Sequence, residues 1–343
     1  MGLFRRALPA GGEVDEVVGR LLVDRPWEDL DLDDAVELVV KGRLTAGLHL
    51  LTQTRHDHET RVLRVGALAE AAVGRSAQLA SLCADDPGDP DGWLWLGCTM
   101  LAEAWAARGR GYTATVSDDD YEVFYAALEA SRHPLLEAAS LAPSDAAPWV
   151  LLQAQAKAMG LDRTELDAIW SEVERRCPSH FEGARERLQA MCKKWYGSHK
   201  EMFHFAREVV ARAPRGHPAT AMIVLAHFEC LEYDLSELPE EVRADRTPAL
   251  VRSYFTEEVL AEIREADEKW SMWASAHPYG VSAHHLFGAA YLCGPGGAYS
   301  DRARVHLSKV GGRWQASPWE FLSEDPERAF AAALVQLGLE WGH

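Results

Sequence analysis

RRCPSHFEG (residues 175–183) closes one amphipathic run and opens the next, and its Pro178 stands between two others at nearly equal distance. Pro143 in LAPSDAAPW (141–149) lies 35 residues before it and Pro214 in ARAPRGHPA (211–219) lies 36 after. Proline has no amide hydrogen and its ring clashes with the preceding turn, so each marks the end of a helix pair. Such a period is that of helix-turn-helix repeats. Further upstream, Pro87 in ADDPGDPDGW (84–93) precedes Pro143 by 56 residues. An insertion of about 20 residues, centred on GYTATVSDDDY (111–121), restores the same unit there.

Side chains keep step with the prolines. Apolar residues spaced three and four apart, as in Leu161, Leu166, Ile169, Trp170 and Val173, indicate helices, and strand-like alternation is scarce. Leu166, Trp170 and Val173 correspond, 36 residues on, to Met202, Ala206 and Val209, the expected inner face of successive second helices. First helices open alike, with Trp93, Leu96, Gly97 and Met100 after one proline and Trp149, Leu152, Gln153 and Ala156 after the next. The expected fold is therefore all-α, a tetratricopeptide-like α-solenoid of stacked antiparallel helix pairs.

Residues 1–10 are expected to form a flexible N-terminus and 11–87 to hold degenerate helix pairs, with helices over 33–41, 43–54, 58–72 and 75–84 broken at Gly42 and Gly74. Residues 88–235 carry the central repeats. LSELPEEVRADRTPAL, with two prolines and many charges, reads as a charged loop over 236–252, and residues 253–343 as helices capping the stack. Within that last part a long helix is expected over 254–276, then a pair in VSAHHLFGAAYLCG and YSDRARVHLSKVGG, then a terminal helix near 325–340.

Residues 108–230, from RGRGYT through HPLLEAASLAPSDAAPW and RRCPSH to KKWYGSHKEMFHFA, resemble the tetratricopeptide-like bacterial family catalogued as domain of unknown function 4034. Its signature is Trp-Gly-Gly-Ser followed by a helix. Trp195, Gly197 and Ser198 match, and Tyr196 departs from the first glycine. The Trp, Leu-Gly and Tyr positions of the tetratricopeptide repeat are matched with departures at Met100, Ala156 and Gln153. The resemblance implies a helical-repeat fold and no assigned chemistry, so it carries over no catalytic residue.

The chain has 343 residues, 48% of them hydrophobic, enough for a large core. Acidic residues outnumber basic ones by 53 to 35, and the formal charge of −18 repels nucleic acid and anionic membranes. A basic or neutral polypeptide is the partner this balance favours. Six cysteines scattered without a CxxC pair suggest neither zinc cluster nor disulfide framework. MGLFRRALPAGGEVDEV lacks the apolar run of a secretion signal, and no stretch is long and apolar enough to span a bilayer, so a cytoplasmic protein is expected.

KKWYGSHKEMFHF (193–205) most resembles a reaction centre, yet each polar residue has a structural use. Gly197 is placed for a left-handed helix end, Lys193 and Lys194 lie at the negative end of the preceding helix, and Ser198 with Glu201 forms a capping box. Helix A is expected to run from Phe181 to Trp195. Ser198, His199 and Lys194 as nucleophile and base lack an acidic orienting group, so no catalytic residue is assigned. Trp195, Tyr196 and His199 are the candidate partner contacts, since such rings anchor interfaces.

Other constellations resolve similarly. In His56-Asp57-His58-Glu59, Asp57 is a natural helix N-cap. His227 and Glu229, and likewise His284 and His285, are too close in sequence to share a helix face, and no HExxH spacing occurs. Asp89 and Asp91 lack the alternating ligand order of a calcium loop, and CGPGGAY (293–299) lacks the lysine of a phosphate loop. No metal and no cofactor is therefore expected. The expected function is a non-enzymatic protein interaction scaffold that uses the concave surface of the helical repeats, lined by first helices. The alternative is an enzyme or small-ligand binder with a pocket between the central repeats and the tryptophan-rich end around Trp270, Trp273, Trp314 and Trp319.

Overall fold

The computed structural model describes residues 11–23, 25–108, 118–195, 197–295 and 299–339. Among them the chain is helical, and the one β-pairing is an isolated parallel bridge between Leu22 and Arg313. No helix of the described residues is long and apolar enough to cross a membrane. The expected flexible N-terminus at 1–10 and most of the insertion at 111–121 lie outside the described residues.

The helices are α1 (Gly11–Val18), α2 (Leu30–Val40), α3 (Leu44–Thr52), α4 (His58–Ala71), α5 (Ser76–Asp85), α6 (Pro90–Arg108), α7 (Asp118–Leu141), α8 (Ala147–Met159), α9 (Arg163–Arg176) and α10 (Phe181–Ala190). They continue with α11 (His199–Arg212), α12 (Met222–Ser236), α13 (Glu240–Tyr254), α14 (Glu257–Ser271), α15 (Gly280–Leu292), α16 (Ser300–Val310) and α17 (Pro326–Gln336). Two compact units result. Asp29–Ala190 forms the middle unit, and the described residues up to Glu28 join those from Met191 onward in the terminal unit.

In the middle unit the breaks at Gly42 and Gly74 fall where the sequence puts them, each glycine taking a positive φ, 84° and 82°, that L side chains resist. α6 and α7 pack closely because Gly97 leaves room for Leu135. Gly183 does the same for α10, where a Cβ would lie 2.8 Å from Val173. Polar side chains also organise this unit. Arg61, fully buried on α4, donates from Nε to Asp145 (2.6 Å), from Nη2 to Asp91 (2.6 Å) and from Nη1 to the Leu51 carbonyl (3.0 Å). Asp91 and Asp145 lie at the starts of α6 and α8, where exposed amides favour a carboxylate, and Asp145 also accepts from the Ala147 N–H at 2.9 Å.

The start of α4 also reaches the start of α10. Glu59 accepts from the Phe181 N–H (2.8 Å) and the His58 carbonyl lies 3.2 Å from His180 Nε2. α4 thus meets the beginnings of α6, α8 and α10 in turn.

The terminal unit is discontinuous in sequence because α1 packs on α17, burying Val14 against Ala331 and Ala332. Leu22 exchanges backbone hydrogen bonds with Gly312 and Trp314, and Arg313 Nε donates to the Trp27 carbonyl at 2.7 Å. Residues 11–28 therefore belong with the C-terminal helices, although the sequence reading grouped them with 11–87. The charged loop expected over 236–252 is also corrected, since α13 fills Glu240–Tyr254 with Pro248 inside it. Pro239 and the acidic pair Glu240 and Glu241 start the helix, and Thr247 Oγ1 bonds the Arg243 carbonyl at 2.8 Å within its middle. The following helix begins after Thr256, which caps it through the Val259 N–H, rather than at Tyr254.

Gly97→Ala should cost about 1–3 kcal/mol despite its better helix propensity, because the new Cβ would fall 2.7 Å from the Leu135 side chain and 3.2 Å from its backbone nitrogen. Gly66→Ala, which meets nothing within 4 Å on α4, should instead be neutral or stabilise by up to about 1 kcal/mol. Urea denaturation of both variants checks the contrast.

Candidate functional site

α10 ends at Ala190, five residues before the Trp195 expected from sequence, and the turn to α11 starts there. The Cys192 carbonyl accepts from the amides of Trp195 (3.0 Å) and Gly197 (3.3 Å). Gly197 does not adopt the left-handed conformation expected of it. It is needed for space, because a Cβ would lie 2.0 Å from the Met191 carbonyl oxygen. Ser198 caps α11 by accepting from the Glu201 N–H (3.2 Å), and its hydroxyl donates to the Glu201 carboxylate (2.9 Å).

The rest of the stretch is turned onto α12. Lys193 Nζ sits 4.0 Å from the centre of the Tyr233 ring, and Lys194 Nζ lies 2.7 Å from both Glu229 and Glu232. Burial works against the Lys194 ammonium, yet these carboxylates hold its pKa above the ordinary lysine value. His199 is half-buried with its ring edge-on to Tyr233 at 5.2 Å. Trp195 is half-buried as well, and Tyr196 lies outside the described residues. The hydroxyl of Ser198 and the ammonium of Lys194 face separate carboxylates, so the stretch does not assemble a nucleophile and base.

The remaining polar motifs also separate. Asp57 caps α4 by accepting from the Thr60 N–H at 3.1 Å. Asp89 and Asp91 take the Arg55 guanidinium, and Asp91 also takes Arg61. His227 lies between the Tyr254 hydroxyl (3.1 Å) and Glu262 (3.2 Å), while Glu229 faces Lys194. Hydrogen bonding from His227, helped by the Arg207 guanidinium, pulls the Glu262 carboxyl down to about 2. Burial pushes the thiols up, Cys83 to about 11 and Cys98 and Cys177 to about 12, which disfavours their thiolate forms at neutral pH.

Ionisable groups also converge as a connected chain where α14, α15 and α16 pack. Asp267, nearly fully buried on α14, accepts from the Tyr291 hydroxyl at 2.8 Å, and its other oxygen lies 3.2 Å from His306 Nε2. His306 Nδ1 in turn lies 2.9 Å from His284 Nδ1. Trp270 covers the pair, 4.5 Å from the His284 ring and 6.0 Å from that of His306, and Arg302 approaches Asp267 at 3.2 Å. Burial disfavours the Asp267 carboxylate, but the hydrogen bond and charge of His306 outweigh it and hold the pKa below the usual value. Burial first, then the neighbouring His306 and Lys309, press His284 down to about 3.

His285, next along α15, faces the other way: it lies 2.9 Å from both the Arg313 carbonyl and the Trp319 indole nitrogen, and burial lowers it to about 4. The sequence reading separated His284 from His285 onto different faces, and the structure places them so. It missed Asp267 and His306. Their signal was a charged or polar residue in register with an apolar stripe, since Asp267 falls at helical spacing with Leu260, Ile263 and Trp270. Within this cluster the potential ligand atoms of Asp267 and His306 are turned toward each other, leaving His284 as a single imidazole for any added ligand. Compared with protein-family models, curated proteins and solved structures, the chain matches none.

Ser198→Ala should lower stability by about 1 kcal/mol through loss of the α11 cap, and Gly197→Ala by more than that because backbone must move to admit the methyl. Denaturant midpoints measured side by side give the order; equal stability of Gly197→Ala and the parent would contradict the close approach at Met191.

Proposed function

We propose that the chain is a protein interaction scaffold, a tetratricopeptide-like α-solenoid whose acidic surface recruits a basic or neutral polypeptide in the cytoplasm. The observation that supports this most is the charge: acidic residues exceed basic ones by 53 to 35 on an all-helical body. Excess negative charge steers basic partners and repels nucleic acid. The tightly engaged polar residues fit the same reading. Where carboxylates, imidazoles and ammonium groups meet, they tie one helix to the next.

Because first helices such as α8 bury Val150, Leu152, Gln153, Ala156 and Lys157, this reading puts the partner on the outward faces of the second helices rather than on the concave face expected from the sequence. α9, with exposed Asp167 and Glu165, is such a face. Trp195 and His199 remain partner contacts in this reading only through their exposed edges.

A second reading, a small-ligand binder or enzyme at the tryptophan-rich end, is favoured by the Asp267–His306–His284 chain alone. Affinity capture from cell extract at two salt concentrations separates the readings. The scaffold reading expects the same basic polypeptide to be retained at low salt and weakened at high salt. Retention of nucleic acid in its place, or of no polypeptide at either salt, would contradict it.

A further inference from the structure

The donor and acceptor capacities around α15 leave its adjacent histidines little freedom. On one side of the helix, the Asp267 carboxylate can only accept, so His306 presents N–H from Nε2 and, when neutral, a bare Nδ1. One of the two facing Nδ1 atoms, 2.9 Å apart, carries the proton between them: His306 when it is charged, His284 when it is not. That short gap holds one hydrogen, and charging both rings would set two N–H groups head to head. On the other side, an indole N–H can only donate and a carbonyl can only accept. His285 between them is therefore the neutral Nε2–H form, donating to Arg313 and accepting from Trp319. A second proton on His285 would point at the Trp319 N–H.

We propose that α15 is an acid-sensitive latch: its two histidines hold α14 and α16 on one side and the 313–321 segment on the other at neutral pH, and acid releases the 313–321 segment. The groups facing the rings give an added proton little help at His285. That ring is enclosed by the Arg313 carbonyl, Trp319 and Phe330 of α17, and the Arg313 guanidinium is directed to Trp27 and Glu28. His284 faces Trp270 and Asp267 of α14 and His306 and Lys309 of α16, so a cation there meets Lys309 as well as Asp267. From the other elements packed on α15, His227 and Glu229 of α12 are engaged with Glu262 and Lys194, and His217, before the 3-10 turn Pro218–Ala221, stands edge-on to His277.

The sign follows from the lowered values, about 4 for His285 and about 3 for His284. A histidine freed by opening returns toward its ordinary pKa near 6.5 and binds a proton that the latched form refuses. The latch is therefore at full strength above that value and weakens as pH falls toward 4. For His285 alone the opening equilibrium should rise about thirtyfold between pH 7.5 and pH 5.0. Opening would expose Trp314, Trp319 and Phe321, all now buried.

Hydrogen exchange of the full chain, read by peptide mass spectrometry over 313–321 and by the Trp319 indole resonance, tests this with far-UV circular dichroism alongside. The expected result is an opening equilibrium, corrected for intrinsic exchange, that grows about thirtyfold from pH 7.5 to 5.0 while helicity is retained. In His285→Gln, whose amide still donates and accepts without titrating, most of that growth should vanish. Exchange over 313–321 that does not change with pH would overturn the proposal, as would a rise shared equally by all helices with loss of helicity. Nitrogen chemical shifts of His285 in the unaltered chain give an independent reading: the neutral Nε2–H pattern at pH 7 is expected, and an imidazolium or Nδ1–H pattern would overturn it.

Discussion

A guanidinium that never loses its proton and is sealed from water must be met by acceptors on all its edges, and Arg61 imposes that demand on the middle unit. Its acceptors come from the end of α3, the start of α6 and the start of α8, residues up to 84 positions away in sequence. Removing a charge from water costs several kcal/mol before any contact is made. Only the arrangement that closes all three contacts recovers it. The two aspartates have their own needs. Burial works against Asp145, yet His58, whose Nδ1 lies 3.7 Å away, the Arg61 guanidinium and the Ala147 amide together hold its pKa below the ordinary value. Asp91 further accepts from Thr52 and Arg55. Helix starts that could pack in many registers by apolar contact alone are thereby given one.

The terminal unit solves a similar problem with different groups. Asp267 lies on an apolar helix face and is matched by Tyr291, Arg302 and His306 from the two helices that follow. Lys194 finds two carboxylates on α12, and His227 is held between α13 and α14. Asp267 and His227, polar side chains at core positions, specify which neighbour the helix accepts, and apolar stacking such as Trp270 on Phe287 then supplies area without direction.

Much of this was legible in the sequence, and the limits have physical causes. The helices of the N-terminal pairs, the breaks at Gly42 and Gly74, the Asp57 cap and the Ser198 cap are local events, decided by residues within one turn of each other. Apolar period and cap chemistry report them directly. Pro248 misled because a proline usually ends a helix, whereas α13 accommodates it. Gly197 misled in its reason, since a close carbonyl and a left-handed backbone both select glycine and leave the same letter. The Arg61 and Asp267 networks were not legible, because a charge on an apolar stripe announces that it needs partners but not where the chain will bring them. The packing of α1 on α17 was hidden for the same reason. Which helices stack on which, beyond adjacent pairs, is likewise a long-range property that a proline ruler does not measure.

The most direct measurement of this account is a double-mutant cycle between Arg61 and Asp145, using Arg61→Met, Asp145→Asn and the pair, with stability from denaturant unfolding. Each single change should cost about 3–5 kcal/mol by stranding a buried charge, and the double should be less destabilised than their sum by about 2 kcal/mol or more. Additive effects, with a coupling below about 0.5 kcal/mol, would contradict the claim that this buried ion pair fixes the middle unit.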